Sequence, residues 1–220
     1  MPVVQLVVLP HRVVLSEAEL EKEWTTALKV LQSANGLIAQ WEGKKHEEMN
    51  VKAWILLWKD LESSQRFFTS RSYYEFNQAI QPALFGRRIQ WNQRAFIDSS
   101  DWSGLKNLNH AVTSPALEIA WTQVVEGGVA GYHEQTRNVT GPIMDKELGC
   151  GGYFVAPSIE DAHRLMVLIN WKSVDAHHQE HEKGPAFRKC IEASKDYYAV
   201  FVVPWHIVDI KLIFGQMPVF

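Results

Sequence analysis

Two consecutive β-α-β-β-α-β units, an α+β fold, are predicted from three features of the chain. An apolar run, Val167-Leu168-Ile169-Asn170, leads through Trp171-Lys172 into a polar helix start, Ser173 to His181, that carries three histidines. The same order of residue types occurs earlier. Ile55-Leu56-Leu57 leads through Trp58-Lys59 into Asp60-Leu61-Glu62, and one spacing superposes the tryptophan, lysine, capping residue, aliphatic residue and acid of both copies. A fixed long spacing marks an internal duplication. Finally, 220 residues with 46% hydrophobic content suffice for one large core or two small ones.

Taken in order, Val3 to Leu9 is a β-branched and aliphatic run stopped by Pro10, which predicts a buried strand. Ser16 caps a helix with Glu17, Glu19 and Glu21 near its positive end, and Leu20, Trp24, Ala27, Leu28 and Leu31 form one apolar stripe. Asn35-Gly36 ends that helix. Leu37 to Trp41 is a second strand, Glu42 to Asn50 a polar turn, and Val51 to Trp58 a third strand. Asp60 caps the next helical region, which carries Phe67, Phe68, Tyr73 and Phe76 before Pro82 and Gly86, and Arg88 to Ile97 is a fourth strand. That order is the ferredoxin-like pattern, and it is then repeated. Residues 1–98 form the first unit, residues 99–114, rich in Ser, Asn and Gly, a linker, and residues 115–220 the second unit. In the second, Ala116 to Val125 is a strand, and a helical region follows Gly127-Gly128 to about Leu148. Gly152 to Ala156 and Arg164 to Trp171 are strands, Ser173 caps a helix that Gly184-Pro185 interrupts, and Tyr198 to Ile213 is one long final strand. Pro204 within it requires a bulge or an edge position, because proline cannot donate to a ladder. Gly215 to Phe220 form a tail.

Composition excludes several classes. Twenty-two basic and 25 acidic residues, net charge -3, are spread along the chain, so no basic stripe is available for nucleic acid. No segment reaches the roughly 18 to 20 apolar residues of a membrane span, and Met1-Pro2-Val3-Val4 has no basic leader character. A soluble, cytoplasmic protein, monomer or homodimer, is expected. Two cysteines, Cys150 and Cys190, do not make a disulfide scaffold or a metal pair; they are two free thiols or a single bridge.

A ferredoxin-like unit has helices on one side of its sheet only. Two units that pack their bare faces together close a chamber lined by alternate strand residues from both. That is the architecture expected: two tandem ferredoxin-like units packed sheet to sheet within one polypeptide.

The segment Val167 to His181, an aliphatic strand followed by Trp, a short polar residue, an acid-alanine step and a histidine, resembles the antibiotic-biosynthesis-monooxygenase-like family of dimeric α+β barrels. The whole chain is similar to a tandem, fungal-style member. The resemblance implies a small aromatic or polyketide-like substrate held in one half, attacked without a bound cofactor by proton abstraction and then oxygenated, cyclised or isomerised. A non-catalytic ligand-binding or stress-responsive barrel is the alternative. In relatives that oxygenate without a cofactor an asparagine and a tryptophan near the third strand are implicated, and Asn170 and Trp171 match them. Asn170 would hydrogen-bond a phenolate or oxyanion, and Trp171 would form an aromatic wall. Otherwise Asn170 satisfies a strand end and Trp171 fills core. The first half has Leu57 where the second has Asn170, so specialisation of the second half is expected. Trp121, Tyr153 and His181 complete the expected substrate-binding set. Haem-binding relatives carry an axial histidine near the place of His181.

The histidines admit several readings. His177 and His181 fall on one helical face, as a two-histidine metal arm would, yet His133, His163 and Glu134 lack ligand spacing to complete it, so a solvated polar face and no metal are expected. General acid–base chemistry near neutral pH suits imidazole better. His133, beside Glu134, and His178 are the candidate bases, with Asn170 the third catalytic candidate. His206 and Trp205 alternate, and either can face inward. The glycine pairs lack the strand–GxGxxG–helix context of a dinucleotide site. Cys150 has no local base to activate it.

Overall fold

The computed structural model describes residues 1–12, 16–48, 50–84, 86–98, 102–113 and 115–216, without the side chains of Glu17, Trp91, Asn92 and Phe201. Parts of the expected linker and of the carboxyl-terminal tail therefore lie outside the described residues. The chain divides into two compact units, Met1–Arg94 with Lys211–Phe220, and Ala95–Ile210.

In the first unit the elements are β1 (Val3–Pro10), α1 (Glu17–Gln32), β2 (Leu37–Lys45), β3 (Val51–Trp58), α2 (Leu61–Phe68), α3 (Arg71–Leu84) and β4 (Gln90–Phe96). Their strand order is β4-β1-β3-β2, with β3 antiparallel to both neighbours from Val3↔Trp58 and Leu37↔Trp58. Ser16 caps α1 through a reciprocal box with Glu19, and Asp60 caps α2 by accepting from the Ser63 N–H at 2.7 Å. Gly36 ends the first helix turn with φ +95°, and a Cβ there would overlap Ser63. All eight residues of β3 are buried, and Trp24, Trp54 and Phe76 meet edge to face at 5.8 and 6.3 Å. Pro82 lies inside α3 and does not stop it; the helix continues to Leu84.

The second unit repeats the plan. It comprises α4 (Leu105–Val112), β5 (Ala116–Val124), α5 (Val129–Gln135), α6 (Gly141–Met144), β6 (Cys150–Pro157), β7 (Arg164–Trp171), α7 (Pro185–Ser194), β8 (Tyr198–Phe201) and β9 (Trp205–Gly215). Strand order is β9-β5-β7-β6, the same arrangement as in the first unit, and β8 also pairs with β5. The fold is thus α+β, two ferredoxin-like units in tandem, as predicted.

Two expectations change. The stretch read as a linker contains α4, because Leu105, Leu108 and Val112 recur at helical steps among the polar residues, and Leu108, Ala111 and Val112 are buried. The helix packs on β6. The single long final strand is two: β8 pairs with Thr122 to Val124 and β9 with Ala116 to Ile119, and the chain leaves the ladder between them at the segment holding Pro204. From Lys211 onward β9 belongs to the first unit.

Two π-helical turns interrupt the second unit's helices, Thr136–Thr140 and Ala176–His181. Pro142 cannot donate to the Asn138 carbonyl, which accounts for the first widening. Among the described residues no helix is long and apolar enough to cross a membrane.

Candidate functional site

Antiparallel register sorts the second unit's strand residues onto two faces. Glu118 lies opposite Ile169 and His206, Ala120 opposite Val167, and Tyr153 opposite Ile169, so these side chains and Trp171 share one face. Helices α5 and α7 and both π turns cover that face and enclose a cavity of about 130 Å³. Its walls are mainly apolar and aromatic, with Val155, Val167, Ile169, Phe187, Tyr132 and Tyr198 among them. Every lining residue belongs to the second unit. The expectation looked for the chamber between two packed sheets; this cavity lies between the second unit's sheet and its own helices.

Polar groups gather at one end. The Trp171 indole N–H donates to Glu118 Oε2 at 2.7 Å, with both residues buried. His177 stacks on the Trp171 ring at 4.9 Å between centroids. Its Nε2 lies 3.4 Å from Glu118 Oε2 and 3.5 Å from Glu182 Oε1, and its Nδ1 lies 2.9 Å from His206 Nε2. His178 Nδ1 meets Glu182 Oε2 at 2.8 Å, and His181 Nδ1 meets Glu147 Oε2 at 2.9 Å.

Burial dominates the electrostatics. It pushes the Glu118 carboxyl up to about 7, with Glu182 adding to the rise and the Trp171 N–H opposing it. It lowers His177 to about 3, with His206, His178 and His181 adding repulsion. His177 is therefore neutral at pH 7, and its Nε2 lies 3.4 Å from the Glu118 carboxyl without forming an ion pair. A carboxyl group held half-ionised near neutrality, facing an apolar cavity, is suited to accept a proton.

The sequence-predicted residues divide. Trp171, Trp121, Tyr153 and His181 line the cavity. His178 sits beside its polar end, against the His206 ring at 5.0 Å. Asn170 is on the opposite sheet face, where its amide donates to the His110 carbonyl of α4 at 2.6 Å. His133 packs edge-on against Trp102 at 5.9 Å, away from the cavity, and burial lowers its pKa. The solvated face expected for the histidine helix is not found at His177 and His181, whose side chains are only 3% and 4% exposed. Of Trp205 and His206, it is His206 that joins the cavity face. Both cysteines are free, and burial pushes Cys150 up to about 11.

Glu118, His177 and His206 carry the site's polar end; His177 was raised only as part of a metal arm, His206 only as one of two residues able to face inward, and Glu118 not at all. One signal was available for Glu118: a lone acid within the apolar run Ala116-Leu117-Glu118-Ile119-Ala120.

Residues 116–193 match the family Antibiotic biosynthesis monooxygenase (ABM), a span that includes Glu118, Trp171, His177 and His181. A proposed monooxygenase from Lactobacillus acidophilus NCFM is 10% identical with TM-score 0.59, over 99% of each chain. Another, from Fusobacterium nucleatum, is 11% identical with TM-score 0.62, over 98% of this chain and 96% of its own. An anthrone oxidase-like protein is 10% identical with TM-score 0.62, over 96% and 93%. No curated protein matches the sequence. At these identities the structural likeness shows the fold alone, and the sequence match to the family Antibiotic biosynthesis monooxygenase covers residues 116–193, within the second unit.

Proposed function

We propose that the second unit is a monooxygenase for a small phenolic or enolisable aromatic compound, with Glu118 as the proton acceptor. The observation that carries this is the pairing of Glu118 with Trp171 and His177 at the end of an otherwise apolar, aromatic-walled cavity. About 130 Å³ accommodates one reacting ring. Trp171 holds the carboxyl in place by its N–H, and the His177 ring stacks on the Trp171 indole beside it.

Glu118 takes a proton from an activated CH2 or phenolic OH and leaves a carbanion or phenolate. That anion gives one electron to O2, the radical pair combines to a hydroperoxide, and loss of water leaves a carbonyl. One O2 is consumed for each CH2 converted to C=O, with one water released. The protein's part is to desolvate the anion and hold it against the tyrosine and valine walls.

The test is oxygen uptake with an anthrone or a quinol as probe. Stoichiometric uptake by the full chain, reduced about 10²-fold or more in Glu118→Gln, is the expected result, since a general base contributes about 10²–10⁴. Turnover without uptake would make the protein a cyclase or isomerase. Probe binding with no turnover in either form would make it a binding protein.

A further inference from the structure

We propose that His177, His178 and His206 form a binding site for one divalent first-row transition metal ion, directly behind the polar end of the cavity. Each ring offers one nitrogen, and the three nitrogens lie within 4.8 Å of one another. Two of them, His177 Nδ1 and His206 Nε2, are 2.9 Å apart. Metal–nitrogen bonds of about 2.0–2.1 Å place neighbouring ligand nitrogens roughly 3 Å apart, so this pair already has the spacing of two ligands. His178 is the half-exposed member and supplies the third corner.

The far side of two of these rings is arranged as a metal site requires. A ligating imidazole donates its other N–H to a carboxylate, which fixes the tautomer and aims the lone pair. His178 Nδ1 meets Glu182 at 2.8 Å, leaving Nε2 for the ion. His177 Nε2 faces Glu118 at 3.4 Å and Glu182 at 3.5 Å, leaving Nδ1 for the ion. Glu182 thus aligns His178 and lies beside His177, whose ring stacks on Trp171 from the other side.

The donor set states the class of ion. Three imidazoles suit Zn2+, Co2+, Ni2+ or Cu2+, whereas Mg2+ and Ca2+ take oxygen ligands. Half-exposed His178 provides the entry side. The positions related to these by the repeat spacing hold Ser64, Gln65 and Gln93, none of them an imidazole, so one ion per chain is expected. The inference is independent of the oxygenase reading, because binding is measured without substrate.

The full chain, freed of metal with a chelator, is titrated with Co2+ by visible d–d absorption and with Zn2+ by calorimetry. Expected are one ion per chain, loss of affinity of at least about tenfold in Glu182→Gln, consistent with the 10- to 100-fold cost of removing such a partner, and a larger loss in His178→Ala. His163→Ala, an exposed histidine elsewhere in the unit, keeps full affinity. His178→Ala is chosen because its ring is the half-exposed one of the three; an unchanged melting temperature of the metal-free variant confirms that it folds. Absence of a stoichiometric ion in the wild-type chain, or undiminished binding in His178→Ala, overturns the proposal. Failure of oxygen uptake, by contrast, bears only on the oxygenase reading.

Discussion

At the scale of single residues, Glu118 shows how a buried acid is retained. Desolvating a carboxylate is costly unless it is hydrogen-bonded, and the Trp171 N–H supplies that bond. Trp171→Phe therefore leaves Glu118 without its donor: about 1–3 kcal/mol of stability should be lost, with oxygen uptake falling more than tenfold, as denaturant titration and the uptake assay would show. His133 makes a second prediction. Burial and Arg137 hold its pKa below 6.5, Asp98 opposing weakly, and its buried Nε2 finds no partner among the described residues. The folded state thus binds the proton less readily than the unfolded chain. Its contribution to stability is complete above about pH 6.5 and is lost as pH falls below that value. His133→Gln should flatten this part of the stability profile, measured by urea titrations between pH 7.5 and 5.

Elements follow local rules closely in this chain. The capping box of Ser16 and Glu19 was legible as a serine three residues before an acid, and Ser16→Ala should lower the stability of the first unit by about 1 kcal/mol, read by thermal melting. Gly131 has a different reason to be glycine. A Cβ there would overlap the Tyr197 ring, so α5 can approach the 3₁₀ turn at Lys195–Tyr197 only without one. Gly131→Ala should cost about 1–3 kcal/mol and disturb the near-ultraviolet dichroism of the cavity tyrosines. The helix hidden at Leu105–Val112 was missed for a physical reason: its apolar stripe is three residues long, and the Ser, Asn and Gly around it signal loop as strongly as the stripe signals helix.

Across the whole molecule the duplication shows where the buried acid and histidines sit. The spacing that carries Trp58 to Trp171 also carries Gln5 to Glu118, Ser64 to His177 and Gln93 to His206. In the first unit the Trp58 indole donates to the neutral Gln5 amide at 3.1 Å, the same bond with the charge removed. Trp58→Phe should therefore lower stability by about 1–3 kcal/mol yet leave oxygen uptake per folded molecule unchanged, in contrast to Trp171→Phe. The sequence by itself determined the α+β class, the repeat and most strand limits, because periodicity, caps and proline act within a few residues. Only the tertiary structure decided which polar groups meet. Asn170 and Trp171 are adjacent, yet strand alternation sends one to α4 and the other to Glu118. His206 reaches His177 only because β9 pairs with β5 at Glu118. A shift of one residue in that register would turn His206 to the other face, and no local pattern in the chain states the register.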